Sequence, residues 1–392
     1  MVLTLITFLI VLSILVFVHE LGHFMVARRF GVRAEEFGWG FPPRLWGIYK
    51  NQEGRWKNVW GGRKVDDALG TIYSINWFPL GGFVKIKGEN GPSAGSGQVE
   101  DADSFAIQKI WKRAAILSAG VSMNVVLAAM LITIGLLIGM PQALDGVNPS
   151  AEVTDRKIQI IQVMPDTPAA AVGLRVGDII ESINDVKFAN YQDLQKFVDE
   201  HTGEEIYYRL KRSTEEFIAP ITPTLMEETG KGGIGIAIAE TGIVKYSLFL
   251  AVWEGIKTTA VTTWVIIVAF YNLLKGLVLG QGLAGAELAG PVGIAVLTGQ
   301  VARLGLVYIL QFTAILSINL AIINFFPFPA LDGGRVLFLA IEKIKGTPVK
   351  REVEAFIHNV GFALLMLLVL VVTFQDVAKF GDKFKMIWDK IF

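Results

Sequence analysis

The sequence predicts a polytopic α-helical membrane protein of about four transmembrane helices, with a soluble α/β domain inserted among them. Three observations predict it. First, 52% of the 392 residues are hydrophobic and only 18% are charged. The mean hydropathy of +0.49 is too high for an ordinary soluble chain. Second, the charges cluster and leave uncharged runs of the length a bilayer requires. Third, residues 145–245 are polar, with more acids than bases, and mix strand-like with helix-like patterns. The formal net charge is zero, so nothing points to nucleic acid. The chain has no cysteine, which excludes disulfides, thiolate ligands and a Cys nucleophile. Any metal must be held by His, Asp or Glu, and there are only four histidines.

The first span runs from about Val2 to Ala27, and Met1 to Val18 carry no charge. A signal peptide would have a basic n-region and a small-residue cleavage site, so this run reads as a retained span. Arg28, Arg29 and Arg33 follow, and the segment to Gln108 is richer in Lys/Arg than in Asp/Glu. That bias marks a cytoplasmic side. Within the segment, Gly81-Gly82-Phe83-Val84-Lys85-Ile86-Lys87 alternates like a strand after a glycine pair. Residues 88–104 are Gly/Ser-rich and acidic, the composition of a mobile loop.

The second span runs from about Ala114 to Ile138, after Lys109, Lys112 and Arg113 and before Met140-Pro141. In the polar region, Ile158–Val163, Asp178–Ile183 and Glu205–Leu210 read as strands, and Tyr191–His201 as an amphipathic helix. The run from Pro165 to Asp178, continuing to Asn184, resembles the PDZ fold. Domains of that kind take an extended peptide or a C-terminus as an added strand. The alternative is a purely structural β-domain capping the membrane part. Residues 246–280 are apolar but carry Glu254, Lys257 and Lys275. A further span, Leu306–Phe325, ends in Pro327 and Pro329. The last runs from about Phe356 to Phe374, and Lys379, Lys383, Lys385 and Lys390 follow it. The expected organisation is an N-terminal membrane part (1–140), a PDZ-like domain (150–240) and a C-terminal membrane part (241–392).

The chemistry starts at His19-Glu20-Leu21-Gly22-His23. On a helix, His19 and His23 share one face, one turn apart, and can bind one zinc. Glu20 beside them can serve as general base. The same pattern arises by chance in soluble helices, but here it ends an uncharged run, where ionisable groups are costly and usually functional. The alternative is three polar residues snorkelling at a helix end. Zinc needs a third ligand. His201 reads as a surface helix residue and His358 as an interface residue at the start of the last span. Asp332 is the better candidate, because it follows a helix broken by two prolines and precedes Gly333-Gly334. A broken helix at membrane depth is tolerated where it lines a cavity. An N-cap role for Asp332 is compatible with this spacing too.

Taken together, HExxH in the first span, Asn324-x-x-Pro-x-Pro-x-Leu-Asp332-Gly later, and the PDZ-like insert resemble the site-2 protease family. The nearest likeness is to its bacterial branch, which acts in regulated intramembrane proteolysis, and it covers nearly the whole chain. The resemblance implies a membrane-associated β-hairpin near the site, matching Gly81, Gly82, Phe83 and Val84. It implies that His19, His23 and Asp332 hold Zn2+, that Glu20 is the catalytic base, and that Asn324 helps hold the substrate backbone. Asn124 would face the site as well. The family's Gly-Pro-x-x-Asn stands here as Gly120-Val-Ser-Met-Asn124, without the proline. Ala289-Gly290-Pro291 has Ala where the family has Ser, and the insert has room for one PDZ domain rather than two.

The fold class expected is thus a polytopic α-helical membrane protein with a membrane-associated β-hairpin and an inserted PDZ-like α/β domain. The resemblance implies an intramembrane zinc metalloendopeptidase of the bacterial cell membrane. Its partners would be the lipid bilayer, single-span membrane substrates such as anti-sigma factors or remnant signal peptides, and a peptide at the PDZ-like domain. Topology adds a constraint, since Asp332 must reach the membrane side where the two histidines lie. With the PDZ-like domain outside, one further crossing brings Asp332 back, so 246–280 is expected to lie on the outer surface as an amphipathic helix. Two rivals come from other classes. A metal-ion transporter would show repeated halves and ionisable groups along a route, and no internal repeat is visible. A non-catalytic scaffold would not need Glu20.

Overall fold

A computed structural model of the chain describes residues 2–89, 102–212, 215–226, 230–280 and 289–391. Its contacts divide the chain into two units, 1–134 with 252–392, and 135–251. Most of the loop expected over 88–104 falls on 90–101, outside the described residues.

The first unit opens with α1 (Val2–Arg29), apolar all round and ended by Arg28 and Arg29. A helix with no polar face is suited to lipid, and the terminal arginines complement its dipole. Val2, Leu3, Leu5, Ile6 and Ile10 are exposed along its first half. Three strands follow: β1 (Ala34–Lys50), β2 (Trp56–Trp60) and β3 (Ile72–Ile86). They form an antiparallel sheet in the order β2-β1-β3, not the single hairpin expected near Gly81. The register explains how three strands make a larger sheet. Gly38 pairs with both Ser74 and Phe83, while Ser74 pairs with both Gly38 and Gly47. Each long strand therefore doubles back on itself, β1 at Gly40–Pro43 and β3 at Trp77–Gly81. The segment Gly82–Ile86 becomes an edge, paired with β1 on one side. Ser13 of α1 pins the β3 bend, because its hydroxyl donates to the Pro79 carbonyl at 2.8 Å and accepts the Gly81 N–H at 3.2 Å.

Next comes α2 (Ile110–Ile138), again apolar on all sides. Gly22 lets it approach α1, for a Cβ there would stand 2.4 Å from the Ala119 carbonyl oxygen. In a bilayer, helix association depends on such close packing of small residues.

The second unit holds β4 (Met140–Ala143), β5 (Glu152–Val163), α3 (Pro168–Ala171), β6 (Ile179–Ile183), α4 (Tyr191–Glu200), β7 (Ile206–Arg212), β8 (Glu215–Ile221), β9 (Thr224–Met226), β10 (Lys231–Gly233) and β11 (Ile236–Lys245). Six of these strands form an antiparallel sheet, β4-β11-β5-β6-β7-β8. Its core is local in sequence: Ile160, Ile183, Ile206, Tyr208 and Leu210 pack with Leu194 and Val198 of α4. Asn190 caps α4 by accepting the Asp193 N–H at 2.8 Å, as N-cap residues do. The strands and helix read from the sequence at 158–163, 178–183, 191–201 and 205–210 are all present.

The chain then enters α5 (Leu248–Val278), α6 (Pro291–Leu304), α7 (Leu306–Phe325), α8 (Asp332–Lys345) and α9 (Arg351–Ile391). By length and composition, α1, α2, α5, α7 and residues 351–379 of α9 could cross a membrane. Among the described residues that is five helices where about four are expected, and the additional one is the segment read as surface-lying. Two contacts join α5 to other helices and loops of the first unit. Gly255 sits against Thr133, near the end of α2, and Phe270 packs on Phe326 with ring centroids 5.4 Å apart, six residues before Asp332. The charges that suggested an amphipathic helix are accounted for locally, since buried Glu254 pairs with Lys257 at 3.3 Å. At 14 residues, α6 is shorter than a span. Its first turn takes a cap from another helix, as buried Asp376 of α9 accepts the Gly293 N–H at 2.7 Å.

Candidate metal centre

Three elements far apart in sequence bring their chemistry together in the first unit. His19 and His23 project from one face of α1, and Asp332 opens α8. Their ligand atoms lie within 4.8 Å of one another. Asp332 Oδ2 is 2.9 Å from His19 Nε2 and 3.3 Å from His23 Nε2, and the two Nε2 atoms are 3.1 Å apart. Ligands at zinc–nitrogen and zinc–oxygen lengths on a tetrahedron stand about 3.3 Å apart. The three atoms match that spacing. Two imidazole lone pairs and a carboxylate oxygen this close repel unless protons or a shared cation lie among them.

The remaining ring nitrogens support the same use. His23 Nδ1 lies 2.8 Å from the Ile116 carbonyl, so it carries the proton and leaves Nε2 free as a ligand. His19 Nδ1 lies 3.2 Å from the Asn124 amide nitrogen, while Asn124 Oδ1 is buried without a partner. Turning that amide over lets Oδ1 accept the Nδ1 proton, satisfying the orphaned oxygen and freeing His19 Nε2. The donor set therefore fits zinc.

Space for the two rings comes from Gly120. A Cβ there would lie 2.4 Å from His23 Nε2 and 2.7 Å from His19. The missing proline of this motif is thus less telling than the glycine it retains. Asn124, expected to meet substrate, is instead fully buried behind His19. Its backbone carbonyl accepts the Ser317 hydroxyl at 2.8 Å, tying α2 to α7.

Glu20 accepts the Val84 N–H at 3.2 Å. Val84 lies on the open edge of β3, so that edge faces the HExxH helix. Gly81 and Gly82 are buried against α1, where a Cβ would stand 2.6 Å from Val16 and 3.0 Å from Phe17. Phe83 and Val84 are half-buried. Asn324 is half-buried in the last turn of α7 and takes no part in the hydrogen bonds joining His19, His23, Asn124 and Asp332.

Asp332 does not act as an N-cap, since Leu331 holds that position and Asp332 is the first residue of α8. The turn before it is tight: a Cβ on Gly333 would meet the Phe325 carbonyl at 2.2 Å, and one on Gly334 the Phe328 carbonyl at 2.3 Å. Ala330 has φ +79, a left-handed conformation that costs a residue with a Cβ about 1–3 kcal/mol. His358 accepts the Ala330 N–H at 2.8 Å through Nδ1. The sequence suggested no such role, although a histidine within an apolar helix is itself a signal. His201, read as a surface residue, caps its own helix by hydrogen bonding to the Phe197 carbonyl at 2.8 Å.

In the second unit, a groove of ≈ 750 Å³ lies between α4 and the start of β11, lined by Leu194, Val198, Tyr208, Ile234, Ile236 and Ile238 among others. Among the described residues, β4 pairs with Thr241–Val244 of β11.

The sequence profile of peptidase family M50 matches residues 7–59 and 63–368. The regulator of sigma-W protease RasP of Bacillus subtilis (strain 168) is 32% identical, over 96% of this chain and 98% of that protein. The zinc metalloprotease RasP of Geobacillus kaustophilus is also 32% identical, over 96% and 98%. A putative zinc metalloprotease of Agrobacterium fabrum is 30% identical, over 95% and 94%. Among solved structures, the PDZ domain of an SdrC-like protein from Listeria monocytogenes is 28% identical, covering 22% of this chain and 92% of that one, with a TM-score of 0.21.

Proposed function

Because the chain belongs to peptidase family M50, the site-2 proteases, and is therefore a membrane metalloprotease, we propose that it hydrolyses peptide bonds within the transmembrane segments of single-span proteins. His19, His23 and Asp332 would hold the zinc, and Glu20 is the base. The observation that carries this reading is the convergence of three ligand atoms within 4.8 Å, with Glu20 next to His19 and hydrogen-bonded to an open strand edge.

Bound zinc supplies a Lewis acid for the scissile carbonyl and lowers the pKa of water to near neutrality. The protein's own groups do the rest. His23 Nδ1 and His19 Nδ1 keep their protons on the Ile116 carbonyl and Asn124, so both Nε2 lone pairs point to one spot. The Glu20 carboxylate takes the proton of the attacking water and delivers it to the leaving amine. The open edge at Gly82–Ile86 offers unpaired backbone groups to a substrate strand. Strand pairing there draws the segment out of its helix, exposing carbonyls that helical hydrogen bonds would shield. The burial of Asn124 and of the two glycines confines direct substrate contact to Phe83, Val84 and Asn324.

Relatives named for sigma-W regulation point to anti-sigma factors as substrates, with remnant signal peptides a second set of the same chemistry. The PDZ-like unit lies on the extracytoplasmic side of a bacterial cell membrane. Its groove beside α4 suits an extended peptide added to β11. The packing of Gly255 on Thr133 and of Phe270 on Phe326 supports a crossing position for α5, which is long and apolar enough to span.

The test uses purified protein with a single-span substrate. Glu20→Gln abolishes cleavage, a loss of at least about 100-fold, yet leaves zinc content unchanged, and a zinc chelator stops the wild type. Cleavage by the Gln variant at the wild-type rate would overturn the assignment.

A further inference from the structure

Asp332 hangs on a loop, and that loop is gripped at two points by α9. Pro329 lies on Gly361, where a Cβ would stand 2.4 Å from the proline Cβ and 2.7 Å from its carbonyl oxygen. The next residue, Ala330, sits at φ +79. Its neighbours' backbone donors find carbonyls nearby: Phe328 donates to Phe326 at 2.7 Å and Leu331 to Phe328 at 3.2 Å. The Ala330 N–H is met instead by a side chain, His358 Nδ1, at 2.8 Å. The His358 ring is itself set against Phe338 of α8, with centroids 5.3 Å apart.

We propose that His358 is a positioning residue for the metal centre: by accepting the Ala330 N–H, it holds the left-handed turn that delivers the Asp332 carboxylate to His19 and His23. This rests on the zinc reading of those three residues. The reasoning is one of backbone direction. A left-handed alanine is unfavourable and persists only where its surroundings over-determine it. Relaxing Ala330 to an ordinary φ redirects the chain two residues before Asp332. Gly333 and Gly334 cannot absorb the change, because both are pressed on carbonyls of the preceding turn. The Ala330 N–H, met by the imidazole of α9 rather than by a carbonyl of the turn, is thus the natural handle.

The experiment is a zinc competition titration on the full-length protein in detergent, alongside cleavage kinetics and thermal unfolding. Four proteins are compared: wild type, His358→Leu, His358→Asn, and His358→Leu with Ala330→Gly. Asn places an amide oxygen near the position of Nδ1, whereas Leu has similar bulk and no acceptor. The Leu variant should bind zinc about 10–100-fold more weakly, the range seen when a group orienting a metal ligand is lost. The Asn variant should stay within about threefold of wild type. Glycine at 330 removes the penalty of the left-handed turn, so it should restore part of the affinity to the Leu variant. Wild-type affinity in His358→Leu would overturn the proposal. Equal loss in the Asn and Leu variants would also overturn it, because ring volume rather than the acceptor would then be the cause. If the Leu variant does not fold, the Asn variant decides: retained affinity upholds the acceptor role and lost affinity ends it. A wild type that binds no zinc at all would instead sink the metal-centre reading.

Discussion

The two units solve opposite problems of assembly. In the second, a core of Ile160, Ile183, Tyr208 and Leu210 is closed by α4 and by strands that mostly neighbour one another in sequence. In the first, the groups that matter come from α1, α2, α8 and α9, and the His19–Asp332 contact spans 313 positions. Apolar burial can drive the first kind of construction. It cannot drive the second in lipid, where the tails are as apolar as the side chains and close packing has to substitute. The lesson is where each unit is fragile. The α/β unit depends on volume and local charge, and the metal centre depends on glycines that leave no room for a methyl group.

The sharpest way to break this contrast is Gly120→Ala. The added methyl would stand 2.4 Å from His23 Nε2, so the rings must swing away from Asp332. The expected result is a loss of zinc affinity on the order of 100-fold, comparable to losing a group that orients a ligand, and cleavage lost with it. The melting temperature of the α/β unit should not move. If the Ala variant retains zinc and activity, the centre is more plastic than its packing implies.

How far the sequence anticipated these features follows the same division. The meeting of His19, His23 and Asp332 was legible because each belongs to a short pattern whose residue types have few other uses at membrane depth. The strands at 158–163 and 205–210 were legible because their alternation is local. The end of β3, from Gly81, was legible for the same reason, whereas β1 and the start of β3 were not, because their pairing is non-local. The burial of Asn124 beside His19 was not legible, since a buried amide and an exposed one look alike in one dimension. The contact of His358 was not legible because its partner is a backbone N–H, which no side-chain pattern records. The depth of α5 was read from Glu254 and Lys257, and their pairing with one another is not visible in the sequence.

A second, smaller effect comes from the core of the α/β unit. Ile160 is fully buried there. Ile160→Ala removes methyl groups and leaves a cavity, and should destabilise the unit by roughly 3 kcal/mol. Limited proteolysis within 135–251 is the measurement, and it should accelerate while zinc affinity in the membrane part stays at the wild-type value. A parallel loss of zinc would show that the two units are coupled more tightly than their separate cores suggest.

The smallest effect is electrostatic and sharpens the comparison by acid. Asp178 is almost fully buried, and its carboxylate accepts from Arg212 at 2.7 Å through both oxygens and from the Arg175 N–H at 2.9 Å. Burial pushes this carboxyl up, but the Arg212 guanidinium and the Arg175 N–H together hold it below its ordinary value of 3.8. A depressed carboxyl stabilises the fold above the unfolded value and ceases to do so as pH falls through the folded one. The contribution is therefore present at pH 5 and above and is lost progressively below about pH 4. Arg212→Met should destabilise the unit by about 1–2 kcal/mol at neutral pH, a figure kept low because the guanidinium is partly solvent-screened. It should also flatten the acid dependence, since the carboxylate then keeps only the Arg175 N–H. Thermal unfolding between pH 7 and pH 3 reads both. If wild type and variant lose stability in parallel on acidification, the pair is not the source, and the turn from Arg175 to Asp178 is held by packing alone.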